Sequence, residues 1–167
     1  MTARPRPGLT LAVAAAALAG TTPLAPLAAA DDEPLVEHCY TTALTAEQVA
    51  AGEVSEIDCE WVSPDEPPMQ MRSGITYAIV YDTDQSGSLL GINSPSGVTT
   101  CTGGSAVFGT GSAWDNRIGS TELLACGAAK HWQWSNFSGN NQLVMGAGYT
   151  PMNGTMNNAT SSIDYAP

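Results

Sequence analysis

Basic residues are nearly missing from this sequence. Five Lys and Arg stand against sixteen Asp and Glu, a net charge of −11. Such a balance sets the chain against phosphate backbones and anionic membrane surfaces, so nucleic acid and lipid headgroups are poor partners. Histidine is also scarce, with only His38 and His131. There is no H-E-x-x-H, no G-x-S-x-G elbow and no Walker-type glycine loop, so the motif-borne chemistries of hydrolases and nucleotide-binding enzymes lack their residues. The closely spaced C-x-x-C pairs of a zinc site are missing too. His131, beside Trp132, reads as a strand residue and not as a base. From these absences we expect a protein that is not an enzyme.

Long apolar runs are confined to the first thirty residues. Arg4 and Arg6 give a positive start, Leu9 to Ala19 is uncharged, and Ala28-Ala29-Ala30 offers small residues before Asp31-Asp32-Glu33. This order predicts an export signal over residues 1–30. Gly20, Pro23 and Pro26 interrupt the run short of the roughly 20 residues that span a bilayer. No cysteine lies near the cleavage point, which argues against a lipoprotein. Removal of the signal leaves 137 of 167 residues, with three basic residues (Arg72, Arg117, Lys130) and all sixteen acidic ones, a net charge of −13 (3 − 16). The expected product is secreted, has no membrane attachment and acts as a monomer.

What the exported part does have is cysteine in even number: Cys39, Cys59, Cys101 and Cys126. In an oxidising compartment these read as disulfides, and four cysteines permit three pairings. Sequence separation favours Cys39–Cys59 and Cys101–Cys126, since each pair lies within one compositional region. Each bridge would contribute about 3 kcal/mol by closing its loop.

Eleven of the sixteen acidic residues fall between Asp31 and Glu66. Within that stretch Thr45 and Gln48 make a capping box for a short helix over 45–51, which Gly52 can end. Ser63 to Pro68 reads as a linker. Residues 31–70 are therefore expected as an acidic, disulfide-tied appendage, followed by a second region over 71–167. That region is rich in Gly, Ser, Thr and Asn. Its short β-type runs (75–81, 89–92, 106–108, 123–124, 131–134 and 142–145) lie between turn signals, the pattern of an all-β sandwich.

The second region repeats itself. Trp132, Phe137 and Gly139 have the spacing of a folded hairpin, and a weaker copy runs through Val80, Gln85 and Gly87. Each copy is followed by a polar signature: Asp115-Asn116-Arg117-Ile118-Gly119-Ser120, then Asn157-Asn158-Ala159-Thr160-Ser161-Ser162. This arrangement resembles the βγ-crystallin superfamily, whose domains carry two Greek-key motifs, each with a Y/F/W-x-x-x-x-Y/F-x-G hairpin and an N/D-N/D-x-x-S/T-S signature. The second signature matches at every defined position, and the first departs at Gly119. With the export signal, the cysteines and Trp114 to Ile118, the chain looks most like the secreted metalloproteinase-inhibitor family of actinobacteria.

The resemblance implies a βγ-crystallin-like Greek-key sandwich and calcium as a ligand. The stronger calcium site would use Asn157, Asn158, the Ala159 carbonyl and Ser161, completed by Asp82 and Asp84 of the partner hairpin. A weaker or lost site would use Asp115, Asn116 and the Arg117 carbonyl with the hairpin near Asn136. Asp82 to Gly87 also has the oxygens of an EF-hand start, but Asn93 stands where a bidentate glutamate belongs, so we set that motif aside. Asp82 and Asp84, two residues apart in a hairpin, share solvent or a cation more readily than they form a glycosidase pair.

Three functions follow as expectations. The first is inhibition of a secreted protease, with Gly103 to Ser112 as the contact loop. The second is a calcium-stabilised structural or stress protein of the cell exterior. The third is carbohydrate binding through Trp132, Trp134 and Phe137, against which the hairpin pattern assigns Trp132 and Phe137 to the core with Trp134 packed nearby.

Overall fold

Thr76–Tyr81, dense in β-branched and aromatic side chains, lies inside a six-stranded sheet with Tyr77, Ala78 and Val80 fully buried. The computed structural model describes residues 34–64, 74–83, 85 and 87–167. The export segment, most of the Pro-rich linker, Asp84 and Ser86 lie outside the described residues. The elements are β1 (Val36–Thr42), α1 (Ala46–Ala50), β2 (Asp58–Val62), β3 (Thr76–Tyr81), β4 (Leu89–Asn93), β5 (Gly104–Val107), β6 (Ser120–Leu123), β7 (Ala128–Trp134), β8 (Ser138–Met145), β9 (Gly148–Pro151) and β10 (Ser162–Ala166). The described residues thus form an all-β structure of two sheets with one short helix. No helix among the described residues is long and apolar enough to cross a membrane.

The first sheet runs β2-β1-β4-β3-β6-β9 and the second β5-β10-β7-β8. Two halves interlock. The first half keeps β3, β4 and β6 together and sends β5 to the other sheet; the second keeps β7, β8 and β10 together and sends β9 back. Exchange of the third strand makes each sheet depend on both halves. Between them lies one core, with Trp114, Tyr77, Phe108, Leu90, Ile92 and Ile118 its largest fully buried side chains. Each contributes about 1.5–3 kcal/mol by burial.

The helix forms where the capping box placed it. The Thr45 hydroxyl accepts from the Gln48 N–H at 3.3 Å, and the Gln48 side chain accepts from the Thr45 N–H at 3.0 Å. Gly52 follows with φ 80°, a left-handed value that ends the helix without a Cβ penalty. The acidic segment carries more than this helix. Its β1 pairs parallel with β4, His38 opposite Leu89, and antiparallel with β2. The stretch expected as an appendage therefore extends the first sheet. Cys39 and Cys59 sit directly opposite one another across β1 and β2 and are bonded; Cys101 is bonded to Cys126.

Candidate functional site

The polar signatures become two equivalent corners. Asn116 has φ 58° and Asn158 φ 54°. The Asn116 N–H donates to the Thr160 carbonyl at 3.0 Å, and the Asn158 N–H donates to the Ile118 carbonyl at 2.9 Å. Next to them, the Gly119 N–H donates to the Tyr81 carbonyl (2.8 Å) and the Ser161 N–H to the Trp132 carbonyl (2.9 Å). The hairpin aromatic of the first half is therefore Tyr81, one residue beyond the Val80 read from the sequence.

The second hairpin builds a defined cleft. The Trp134 carbonyl accepts from the Ser162 hydroxyl at 2.8 Å and from the Phe137 N–H at 3.2 Å, which fixes the strand end. Gly139 has φ 83°, and a Cβ there would meet Gln133 Cβ at 3.1 Å and Trp134 Cδ2 at 3.2 Å. Any side chain here would adopt a strained positive φ and need Gln133 or the indole to give by a few tenths of an ångström. Trp134 itself is 57 % exposed. Across from it, the Ser161 hydroxyl donates to Asp115 Oδ1 at 2.5 Å, with Asn116 Oδ1 at 3.5 Å. Asp115, Asn116, Gln133, Trp134, Asn136 and Ser161 line a cleft of about 670 Å³. An exposed aromatic face beside amides, a hydroxyl and a carboxylate can stack a flat apolar surface while directing hydrogen bonds. A second cleft, about 760 Å³, runs along β1 and α1, with Glu53, Glu56 and Asp58 on its lining.

The tryptophans differ from the expected core assignment. Trp132 is only partly buried; its Nε1–H donates to Asp164 Oδ2 at 3.1 Å and Lys130 Nζ lies 3.9 Å from its ring centroid. Phe137 is partly buried with φ 56°. The core position on this strand belongs to His131, fully buried, with Nε2 2.9 Å from Thr121 Oγ1. Burial pushes its imidazole down to about 3, so the ring is neutral at neutral pH.

The stronger of the expected calcium groupings is dispersed or already used, whereas Asp115, Asn116 and Asn136 of the weaker one line the Trp134 cleft together. Ser161 does not join Asn157 and Asn158; it crosses to Asp115 and Asn116 of the other signature. Asn158 and Ala159 commit their backbone N–H groups to the Ile118 and Met156 carbonyls. A Cβ at Gly119 would lie 2.6 Å from the Asp82 carbonyl oxygen and 2.9 Å from that of Thr83, so the missing hydroxyl has no room. Asp82 faces a cation already present in the chain. Arg117 Nη2 donates to Asp82 Oδ2 at 3.3 Å, Nη1 donates to Glu37 Oε2 at 2.6 Å, and the guanidinium lies 4.9 Å from the Trp114 ring centroid. Asp84 lies outside the described residues.

The calcium expectation is corrected on the donor set. Among the described residues the grouping of His, Cys, Asp or Glu able to hold a metal ion is Glu37, Cys39 and Cys59, with ligand atoms within 4.8 Å of one another. Two of the three are sulfur, bonded to each other as a disulfide, so neither is a thiolate in this structure. Sulfur suits zinc, whereas calcium takes oxygen alone. C-x-x-C spacing does not reveal this group, because strand pairing and not local spacing assembles it: the cysteines are 20 residues apart.

No protein-family model, no curated protein and no solved structure matches this chain.

Proposed function

We propose that this protein is an exported, non-enzymatic carbohydrate-binding module built on a βγ-crystallin-like Greek-key sandwich. The observation that carries the reading is the Trp134 cleft: a tryptophan 57 % exposed, its backbone carbonyl fixed by the Ser162 hydroxyl, sharing a cleft with Asp115, Asn116 and Ser161. Sugar rings present apolar C–H faces and rims of hydroxyls, which stack on an indole and exchange hydrogen bonds with amides and carboxylates. The negative charge of the chain favours neutral or amino sugars over anionic polysaccharides.

The exchange of β5 and β9 between sheets and the paired Asn corners support the superfamily resemblance. The N-terminal pattern and the two disulfides support export. The inhibitor reading has less behind it. Of the stretch Gly103 to Ser112, Gly104–Val107 is strand β5 paired with β10, and Phe108 is buried.

Tryptophan emission of the oxidised protein, titrated with neutral and amino-sugar oligosaccharides, tests this. We expect a saturable change that Trp134→Ala abolishes and Trp61→Ala leaves intact. Silence of the native protein across a broad glycan panel at millimolar ligand would sink the reading.

A further inference from the structure

We propose that the Trp134 cleft selects sugars that carry a free ammonium group, with Asp115 as the residue that reads the charge. The inference deepens the carbohydrate-binding reading and rests on it. Asp115 is half-buried, and the Ser161 hydroxyl donates to its Oδ1 at 2.5 Å. The next residue, Ser162, donates its hydroxyl to the Trp134 carbonyl at 2.8 Å. One dipeptide therefore ties the carboxylate to the end of the strand that carries the exposed indole.

This carboxylate has no counter-ion among the described residues. Their two Lys and Arg side chains are both engaged elsewhere. Arg117 is shared between Glu37 and Asp82, and Lys130 lies over the Trp132 ring. Both histidines are buried. Asp115 Oδ2 accepts no hydrogen bond from any described residue, so one lobe of a charged group is left for a ligand.

The other side-chain acceptors of the cleft are already in use. Asn136 Oδ1 accepts from the Ser138 hydroxyl at 2.5 Å. Gln133 Oε1 accepts from the Asn140 N–H at 3.3 Å and from its side-chain amide at 3.1 Å. The amide N–H groups of Gln133 and Asn136 remain to donate to sugar hydroxyls. An ammonium brings three donors and a positive charge, and its bond to a carboxylate is about twice as strong as a neutral one. The exposed indole in the same cleft attracts a cation through its ring quadrupole. An N-acetyl group replaces the ammonium with one neutral N–H and a carbonyl. The carbonyl finds no partner in a carboxylate, and the charge-assisted bond is lost.

The test titrates the tryptophan emission of the oxidised, full exported chain in mildly acidic buffer, where the sugar amine is charged. The probes are a glucosamine pentamer and the N-acetylglucosamine pentamer. We expect the charged oligomer to bind about tenfold tighter or more. Asp115→Asn should remove that preference and keep a response to the acetylated oligomer. Because the whole chain is acidic, Glu56→Gln serves as the control: it removes an exposed charge from the other cleft and should leave the preference intact. The comparison of the two oligomers on the native protein needs no variant. Equal affinity for both would overturn the inference and leave the carbohydrate reading standing. The same holds for a preference that survives Asp115→Asn, or one that Glu56→Gln removes. Silence toward both pentamers and toward neutral oligosaccharides would overturn the two together.

Discussion

Asn116 and Asn158 are the same corner used twice, each in the left-handed region and each donating its N–H to a carbonyl beside the opposite corner, Thr160 for one and Ile118 for the other. The pair ties the two halves where their third strands have already crossed. Around them the buried positions repeat as well: Trp114 with Met156, and Ser120 with Ser162, all fully buried.

Backbone conformation is what the corners ask for. Asn158→Gly and Asn116→Gly should change stability by less than about 0.5 kcal/mol, since glycine adopts positive φ freely. Asn158→Val should cost about 1–2 kcal/mol, because a β-branched side chain is forced into the left-handed region. Urea midpoints of the oxidised proteins give the comparison; a valine variant as stable as the glycine one would contradict it.

The indole of Trp134 depends on Gly139. An alanine there combines positive-φ strain of about 1 kcal/mol with a Cβ at 3.1 Å from Gln133 and 3.2 Å from Trp134. Gly139→Ala should shift the tryptophan emission of the free protein and weaken any glycan response about tenfold or more, as displaced positioning groups do. Unchanged emission and affinity would mean that the ring is set by other contacts.

Acid should destabilise the fold through His131. Its folded value of about 3 lies below its ordinary 6.5, because burial disfavours the charged ring. The unfolded chain therefore takes the proton first as pH falls. The stability linked to this histidine is complete above pH 6.5 and is lost as pH drops toward 3. The slope approaches about 1.4 kcal/mol per pH unit. His131→Gln should lower stability at neutral pH and flatten the slope between pH 6 and 4, measured by urea unfolding at each pH. Parallel slopes in both proteins would rule this out.

Arg117 joins β1 to the β3–β4 hairpin through Glu37 and Asp82, whose side chains are 14 % and 23 % exposed. Arg117→Ala should cost about 1–2 kcal/mol, discounted for partial solvent screening. Arg117→Lys should recover less than half of that, since one ammonium cannot bridge both carboxylates and also stack on Trp114. Thermal melts at low and high salt would show the penalty shrinking as salt rises. A lysine variant equal to the native protein would mean that simple charge, not the guanidinium fork, is what matters.

Local chemistry was readable from the residues in order. The Thr45–Gln48 box announced α1, the β-branched run announced β3, and the repeated Asx signatures marked two equivalent segments, because each depends on groups a few positions apart. The all-β class and the even cysteines were legible for the same reason. What only the tertiary structure decided lies between residues far apart. β1 found β4 in parallel, although its acidic sequence carries no clean alternation. Ser161 turned to Asp115 instead of its own neighbours, and Arg117 reached Glu37 across the fold. Period-two alternation puts Trp132 and Trp134 on one side of β7, and the fold gives the opposite side, with Ala129 and His131, to the core, which leaves Trp134 in solvent. Sequence determines which groups are available and how the chain bends locally; which of them meet depends on strand order and register, which are settled by the shared burial of both halves.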